Sequence, residues 1–220
     1  STPVEMTRDD MDTVIAEFVS AAGRAEEAGF DMIELHCAHG YLLNSFLSPK
    51  TNVRTDEYGG NMENRLKFPI EVFTALRAAW AEEKPISVRV SAHDWVDGGI
   101  MPEDAVSIAK AFKDVGCDIL DVSSGQVVSE EKPVYGRLFQ LPFSDRVRLE
   151  ANMPTMTVGN IQSFADANSI IAGGRADICV IARMHLFDPY WTRHAANELR
   201  YPLEMPVQYK SVETYTPRWT

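Results

Sequence analysis

The sequence predicts an α/β protein with a parallel sheet, and more narrowly the last five βα units of a (β/α)8 barrel. Helical and strand-like apolar patterns alternate along the 220 residues, and the predicted strands are short and rich in β-branched residues. No predicted strand is followed by the G-x-G-x-x-G turn expected of an open doubly wound sheet. A closed barrel usually needs roughly 250 residues. Part of a barrel is therefore favoured, with an open five-stranded doubly wound sheet as the alternative.

The order of elements follows from apolar periodicity and turn residues. Thr7, with Asp10 three residues later, forms a capping-box pattern, and Gly29 marks the end of the helix that follows. Pro102 likewise opens a helix that closes at Gly116. The predicted helices cover residues 7–29, 63–81, 102–116, 145–152, 164–172 and 190–199, and the predicted strands cover residues 30–36, 86–91, 118–123, 155–158 and 178–182.

One domain is expected over residues 1–200, because no internal repeat or break in composition divides the chain. Residues 201–220, which contain three prolines, are expected to form an irregular tail.

A loop of about twenty residues runs to Gly60, and a loop this long usually has a function or its own packing. Its alternating Arg, Asp and Tyr residues favour a loop held by hydrogen bonds, with a lid over a site as the alternative.

The clearest functional signal lies where the first predicted strand ends. An apolar run stops at His36, and His39 and Tyr41 follow within six positions. Ligands bind at the carboxyl ends of strands in parallel α/β proteins, so these side chains predict a site. Histidines satisfied by the backbone within a core are the alternative. The imidazoles would donate hydrogen bonds to a substrate oxygen, and the Tyr41 phenol would act as a general acid. No third ligand stands at convincing spacing, so a metal site is not expected.

Arg89 is expected inside the barrel. Side chains alternate along a strand, which places Glu34 and His36 on the interior face of the first strand and Arg89 on that of the second. A buried guanidinium is costly unless it is paired. Arg89 is therefore expected to pair with Glu34 or to stabilise negative charge on a ligand in the barrel mouth, and the two roles are compatible.

Two further positions suggest a phosphate site. Gly159 ends the fourth predicted strand and Arg183 ends the fifth. Backbone amides after the last two strands of a barrel often bind phosphate, and an adjacent arginine would complete the site. The alternative is an ordinary strand-end glycine with a surface arginine. No strand carries an interior lysine, which disfavours a Schiff-base aldolase.

Composition limits the partners and the compartment. The formal charge of −11 argues against nucleic acid or an anionic membrane surface as a partner. No apolar run approaches the ~20 residues of a membrane span, and the N-terminus lacks signal-peptide features. Three widely spaced cysteines predict free thiols in a reducing compartment, so the cytoplasm is the expected location.

Longer motifs then occur in order along the chain: His36-x-x-His39-Gly40-Tyr41-Leu42-Leu43, Phe46-Leu47-Ser48-Pro49, Asn52-x-Arg54-x-Asp56-x-Tyr58-Gly59-Gly60 with Arg65, Val88-Arg89-Val90-Ser91, Asp121-Val122-Ser123-Ser124-Gly125 and Val158-Gly159. Together they resemble the Old Yellow Enzyme family, which are FMN-dependent NADH:flavin oxidoreductases on a (β/α)8 TIM barrel. The resemblance extends to about Trp191. The segments 134–140 and 91–95 are most similar to the C-terminal reductase part of bifunctional aryl-CoA monooxygenase/reductases, of the salicylyl-CoA and 2-aminobenzoyl-CoA type.

The resemblance implies roles for the residues at the strand ends. His36 and His39 would hydrogen-bond the carbonyl or phenolic oxygen of the substrate, and Tyr41 is similar to the family's proton donor. Arg89 matches the residue near the pyrimidine edge of the flavin, where reduced FMN carries negative charge.

The resemblance also implies a cofactor phosphate site at Gly159, Ala182 and Arg183. The family usually has glycine where Ala182 stands, and the added methyl would crowd the approach of the backbone to phosphate. The family's other flavin contacts lie on the first strands of the barrel. This chain alone is therefore expected to bind FMN weakly or not at all, and to be inactive.

The implied reaction passes hydride from NADH or NADPH through FMN to an activated C=C of an enone or a dearomatised aryl-CoA thioester. A homo-oligomer, and an upstream FAD monooxygenase domain in the same polypeptide, are compatible with the resemblance. Two alternatives remain at this point. One is a flavin-free, phosphate-binding barrel isomerase or lyase that uses His36 or His39 as a base. The other is an inactive fragment of a larger enzyme.

Overall fold

Five parallel strands form one sheet in the sequential order β1-β2-β3-β4-β5 in a computed structural model that describes residues 3–215. The strands are β1 (Ile33–Cys37), β2 (Ile86–Ser91), β3 (Ile119–Ser123), β4 (Thr155–Val158) and β5 (Ile178–Val180). The helices are α1 (Arg8–Glu27), α2 (Leu42–Leu47), α3 (Met62–Ala79), α4 (Pro102–Asp114), α5 (Leu141–Glu150), α6 (Phe164–Ala172), α7 (Arg183–Phe187) and α8 (Trp191–Glu198), and Val207–Val212 form a 3-10 helix.

The strand order decides between the two predicted architectures. A doubly wound sheet reverses its strand order at a switch point, whereas the strands of a barrel follow one another around the axis. All four neighbouring pairs are parallel and none reverses the order. The predicted partial barrel is confirmed, and the open doubly wound sheet is wrong.

The chain divides into two compact units, Ser1–Val180 and Ile181–Thr220. The first contains the sheet with α1 to α6, and the second contains α7, α8 and the 3-10 helix. The domain boundary expected after residue 200 stays a prediction. The tail is not wholly irregular, because Pro206, with φ of −50°, leads directly into the 3-10 helix. Residues 216–220 lie outside the described part of the chain.

The core of the first unit lies between the sheet and the helices. Leu35, Val88 and Leu120 point from neighbouring strands to this side and are at most 1% exposed. On the helices, the rings of Phe73 in α3 and Phe112 in α4 meet edge-on at 5.7 Å. This apolar layer fixes the orientation of each strand, because a slip by one residue would turn the apolar side chains to the other face.

The opposite face carries the polar side chains. Across the sheet, His36 is in register with Arg89 and Arg89 with Asp121. The row continues to Met156 in β4 and Ile178 in β5. The alternation predicted for the first two strands therefore places His36 and Arg89 side by side.

Three predicted boundaries need correction. The first strand begins at Ile33 and not at residue 30, because Gly29, with φ of +80°, turns the chain and the Phe30 amide still donates to the Ala25 carbonyl at 3.1 Å. The helix predicted at residues 145–152 is α5, and it begins at Leu141, since Pro142 stands in its first turn, where proline is favoured. The last strand ends at Val180, two residues early.

Two short helices were missed. Residues 42–47, predicted as loop, form α2, which buries Leu43, Phe46 and Leu47. Residues 183–187 form α7. Each covers less than two turns, so neither shows enough of the 3.6-residue period to be distinguished from a loop.

Candidate functional site at the carboxyl ends of the strands

A tight turn after β1 brings together the rings of His36, His39 and Tyr41. His39 and Gly40 both have positive φ, at 60° and 73°. A side chain at Gly40 would approach the Gln126 carbonyl to 2.7 Å, so glycine is required there. The centroid of the His36 ring lies 5.2 Å from that of His39 and 5.3 Å from that of Tyr41. The predicted cluster is therefore present in the structure.

Serines from the next two strands hold His39 and Arg89 beside each other. The His39 amide donates to Ser91 Oγ at 3.0 Å, and Ser91 Oγ donates to the Gly125 carbonyl at 3.0 Å. His39 Nε2 lies 2.7 Å from Ser123 Oγ, to which Arg89 Nη2 donates at 3.4 Å. The two imidazoles, the phenol and the guanidinium therefore gather at one end of the sheet.

Asp121, and not Glu34, is the acidic side chain beside Arg89. Asp121 Oδ2 lies 3.4 Å from Arg89 Nε, without the alignment of a hydrogen bond, so Nε stays buried without a hydrogen-bond partner in the described chain. Glu34 instead accepts from Ser87 Oγ at 2.8 Å. The predicted pairing of Arg89 with Glu34 is wrong. Register explains this, because Glu34 is opposite Ser87, while Arg89 is opposite His36 and Asp121.

The ionisation of the site follows from burial and from Arg89. Burial, with help from the Arg89 charge, lowers the pKa of His39 to about 4 and also lowers the pKa of His36. Burial raises the pKa of Asp121 to about 7, although the Arg89 charge opposes that rise. Both imidazoles are therefore neutral at pH 7, and each can donate one N–H to an oxygen acceptor.

Gln140 ties the end of β3 to the end of β4. Its Nε2 donates to the Val158 carbonyl at 2.8 Å, and its Oε1 accepts from Ser124 Oγ at 2.7 Å and lies 3.4 Å from Ser123 Oγ. Gln140 is 4% exposed. Sequence reasoning missed this residue because it lies in the long connection between β3 and α5, outside any strand end. It ends the segment 134–140 that carries part of the resemblance, but nothing in that segment indicates a contact with Ser123 or Ser124.

The predicted phosphate residues belong to two different units of the chain. Gly159 has φ of +116°, and a side chain there would meet Gln140 Nε2 at 2.7 Å and the Phe139 ring at 3.0 Å. Its conformation and the packing of Gln140 therefore require glycine. Ala182 and Arg183 belong to the second unit, where both are exposed, and Ala182, with φ of −113°, is unstrained. Their role at phosphate stays a prediction.

The long loop before α3 has the hydrogen-bonded character that was predicted. Asn52 Nδ2 donates to the Phe46 and Tyr58 carbonyls at 2.7 Å each, and Arg65 Nε donates to the Leu47 carbonyl at 2.8 Å. Such bonds satisfy buried backbone oxygens and fix the loop. The structural interpretation is favoured over a lid.

The site is open to solvent on one side. Tyr41 is 65% exposed, so the described residues do not form the dry pocket in which a phenol would work as a general acid.

Of the thiols, Cys37 and Cys117 are buried and free, and burial raises the pKa of Cys117 to about 12. Among residues 3–215, no group of three or more His, Cys, Asp or Glu side chains could hold a metal ion. No helix within that range is long and apolar enough to cross a bilayer.

Barrel enzymes carry their active sites at the carboxyl ends of the strands, and this end of the sheet holds the imidazoles, the phenol and the guanidinium. Residues 1–201 match the NADH:flavin oxidoreductase / NADH oxidase family. The chain belongs to this family.

Comparisons with individual proteins agree with the family. The chain is 47% identical over 209 residues to an NADPH dehydrogenase of Geobacillus sp. (strain WCH70), covering 95% of this chain and 61% of that protein. It is 43% identical over 210 residues to an NADPH dehydrogenase of Bacillus subtilis (strain 168), covering 96% of this chain and 61% of that protein. The chain therefore spans about 61% of the length of the curated relatives it matches.

Solved structures show the same fold. A 2-naphthoyl-CoA reductase in complex with 2-naphthoyl-CoA aligns with a TM-score of 0.83 and 27% identity, over 89% of this chain and 30% of that one. Morphinone reductase aligns with a TM-score of 0.73 and 26% identity, over 97% of this chain and 55% of that one. The partial coverage agrees with a segment of a larger barrel.

Proposed function

We propose that this chain provides the substrate-side part of an FMN-dependent NAD(P)H oxidoreductase that reduces an activated C=C. The observation that carries the proposal is the convergence of His36, His39, Tyr41 and Arg89 at one end of the sheet. Membership of a flavin oxidoreductase family supports it. The same membership makes a flavin-free isomerase or lyase unfavoured.

The residues of the site fit a flavin ring that gains negative charge. Arg89 is a cation whose Nε is buried and has no hydrogen-bond partner within the described chain. Two neutral imidazoles stand beside it as donors. Bound FMN would supply hydride transfer from the nicotinamide donor to the substrate carbon. Arg89 would face the electron-rich edge of the ring, and Gly159, Ala182 and Arg183 would hold the phosphate.

The remaining groups act on the substrate. His36 and His39 donate hydrogen bonds to the carbonyl or phenolic oxygen, where negative charge develops as the neighbouring C=C is reduced. Tyr41 delivers a proton to the adjacent carbon. Its exposure of 65% means that this step requires further protein or the substrate itself to exclude water from the phenol.

The substrate class is an enone or a dearomatised aryl-CoA thioester. The likeness to a 2-naphthoyl-CoA reductase supports the thioester, and the likeness to morphinone reductase supports the broader class of reductases. A homo-oligomer, an upstream FAD monooxygenase domain and a cytoplasmic location belong to the same proposal. The free buried thiols support a reducing compartment.

Titration of FMN fluorescence with the purified chain tests the cofactor site. We expect weak binding, because the chain spans about 61% of its relatives, and further weakening in Arg89→Met. The exposed Arg24→Met variant is the matched control and should bind as the parent does. Tight stoichiometric binding would overturn the expectation that other strands supply much of the flavin surface. Equal binding by both variants would overturn the role of Arg89.

A further inference from the structure

Ser123 Oγ lies at the centre of a buried hydrogen-bond network at the end of β3. It is 2.7 Å from His39 Nε2, 3.4 Å from Arg89 Nη2 and 3.4 Å from Gln140 Oε1. Ser123 is 3% exposed, so water does not compete freely for these bonds. A hydroxyl has one proton to donate and two lone pairs to accept with, so the proton can be assigned from the partners.

The bond from Arg89 to Ser123 and the bond from Trp95 to Ser124 have fixed directions, because both side chains can only donate. The Arg89 guanidinium has no acceptor, so its Nη2–H occupies a lone pair of Ser123 Oγ. The Trp95 indole likewise only donates, and its Nε1 bonds Ser124 Oγ at 3.0 Å. Ser124 therefore directs its own proton to Gln140 Oε1 at 2.7 Å. Gln140 already has a short bond from Ser124 and does not depend on Ser123.

The proton of Ser123 then has a clear destination. Of its two acceptors, His39 Nε2 is at 2.7 Å and Gln140 Oε1 is at 3.4 Å, and the shorter contact is the stronger bond. A neutral imidazole has one N–H, and accepting at Nε2 places that proton on Nδ1. Nδ1 of His39 makes no hydrogen bond within residues 3–215.

The geometry points to Ser123 as the positioning residue that selects the Nδ1–H tautomer of His39 by donating to Nε2. Arg89 supports this role, because its donation to Ser123 leaves the hydroxyl proton for the imidazole. The consequence is that His39 keeps a free N–H donor at Nδ1. A hydrogen bond from this donor to the substrate oxygen rests on the proposed function. The assignment of the tautomer does not.

Nitrogen NMR of the chain labelled with ¹⁵N-histidine, at pH 7 and without flavin, tests the inference. His39→Gln identifies the signals of His39 among the five histidines. We expect His39 Nδ1 at the shift of a protonated ring nitrogen and Nε2 at the shift of an unprotonated one. In Ser123→Ala we expect the proton to move to Nε2, and Ser123→Thr, which keeps the hydroxyl, should preserve the parent pattern.

Ser144→Ala is the matched control, because Ser144 is also buried but donates to the Leu141 carbonyl within α5. It should leave the His39 signals unchanged. A parent chain protonated at Nε2 would overturn the inference, as would an Nδ1–H pattern that survives Ser123→Ala. The parent spectrum decides even if Ser123→Ala does not fold. Failure of FMN binding would count against the proposed function alone.

Discussion

The two faces of the sheet are made by the same strands and have opposite chemistry. On the helix-covered face, Leu35, Val88 and Leu120 are excluded from water. On the other face, one residue further along each strand, His36, Arg89 and Asp121 form a polar row. The first face stabilises the fold, and the second carries the residues for which we propose roles in binding and catalysis. Substitutions on the two faces should therefore affect different measurements.

The largest effect on stability is expected on the helix-covered face. Phe112→Ala removes a fully buried ring that contacts Phe73, and it should lower the free energy of unfolding by about 3–5 kcal/mol. His36→Ala on the polar face should lower it by less than about 1 kcal/mol. Urea denaturation measures both. Similar losses in the two variants would contradict the division between the faces.

Asp121 should make stability fall as pH rises. Its carboxyl keeps its proton to about pH 7 in the folded chain but loses it near 3.8 when unfolded. Between these values the folded state binds more protons, so the contribution to the free energy of unfolding falls by about 1.4 kcal/mol for each unit of pKa difference.

Asp121→Asn has no group that titrates and should remove this fall between pH 4 and pH 7. The measurement is urea denaturation at several pH values, with the exposed Asp31→Asn as control. The same slope in parent and Asp121→Asn would show that the carboxyl is ionised throughout.

Tyr41→Phe should leave the fold intact and slow turnover. Tyr41 is 65% exposed, so loss of its hydroxyl should barely change stability. The assay is enone-dependent NADPH oxidation with excess FMN, in an active protein that contains this chain. The rate should fall by about a hundredfold if the phenol is the proton donor. The exposed Tyr201→Phe is the control. Unchanged turnover in Tyr41→Phe would assign the proton to another donor.

His39 should titrate far below its ordinary range. Proton NMR of its ring should give a midpoint at about pH 4 in place of 6.5. The group binds fewer protons when folded, so its contribution to stability is complete above pH 6.5 and is lost as pH falls toward 4. Arg89→Met should raise the midpoint, because the Arg89 charge is one cause of the low pKa. A parent midpoint near 6.5 would mean that His39 is not buried beside a cation.

The apolar face explains how much of the fold could be predicted. Strands such as β2 alternate regularly, so their type, position and facing residues follow from sequence alone. The short helix α2 could not be found that way, because six residues give too little periodicity. The start of β1 could not be predicted either, because it depends on the turn at Gly29. After that turn, the Phe30 amide still bonds the Ala25 carbonyl and does not join the strand.

The polar face was predictable only in part. Four residues could be identified from their place at strand ends or on an interior face: His36, His39, Tyr41 and Arg89. Their hydrogen-bond and charge partners could not be identified, because the choice of Asp121 over Glu34 depends on the register between strands. Gln140 reaches the site from a loop, and no local pattern indicates such a contact.

The most direct test is a map of backbone amide shifts as millimolar FMN is added to the labelled chain. This measurement detects weak binding and also locates it. We expect the changes to centre on the ends of β1, β2 and β3, at residues such as His36, His39 and Ser123, and to diminish in Arg89→Met. Changes confined to the helix-covered side, or no change at saturating FMN, would contradict a flavin site on the polar face.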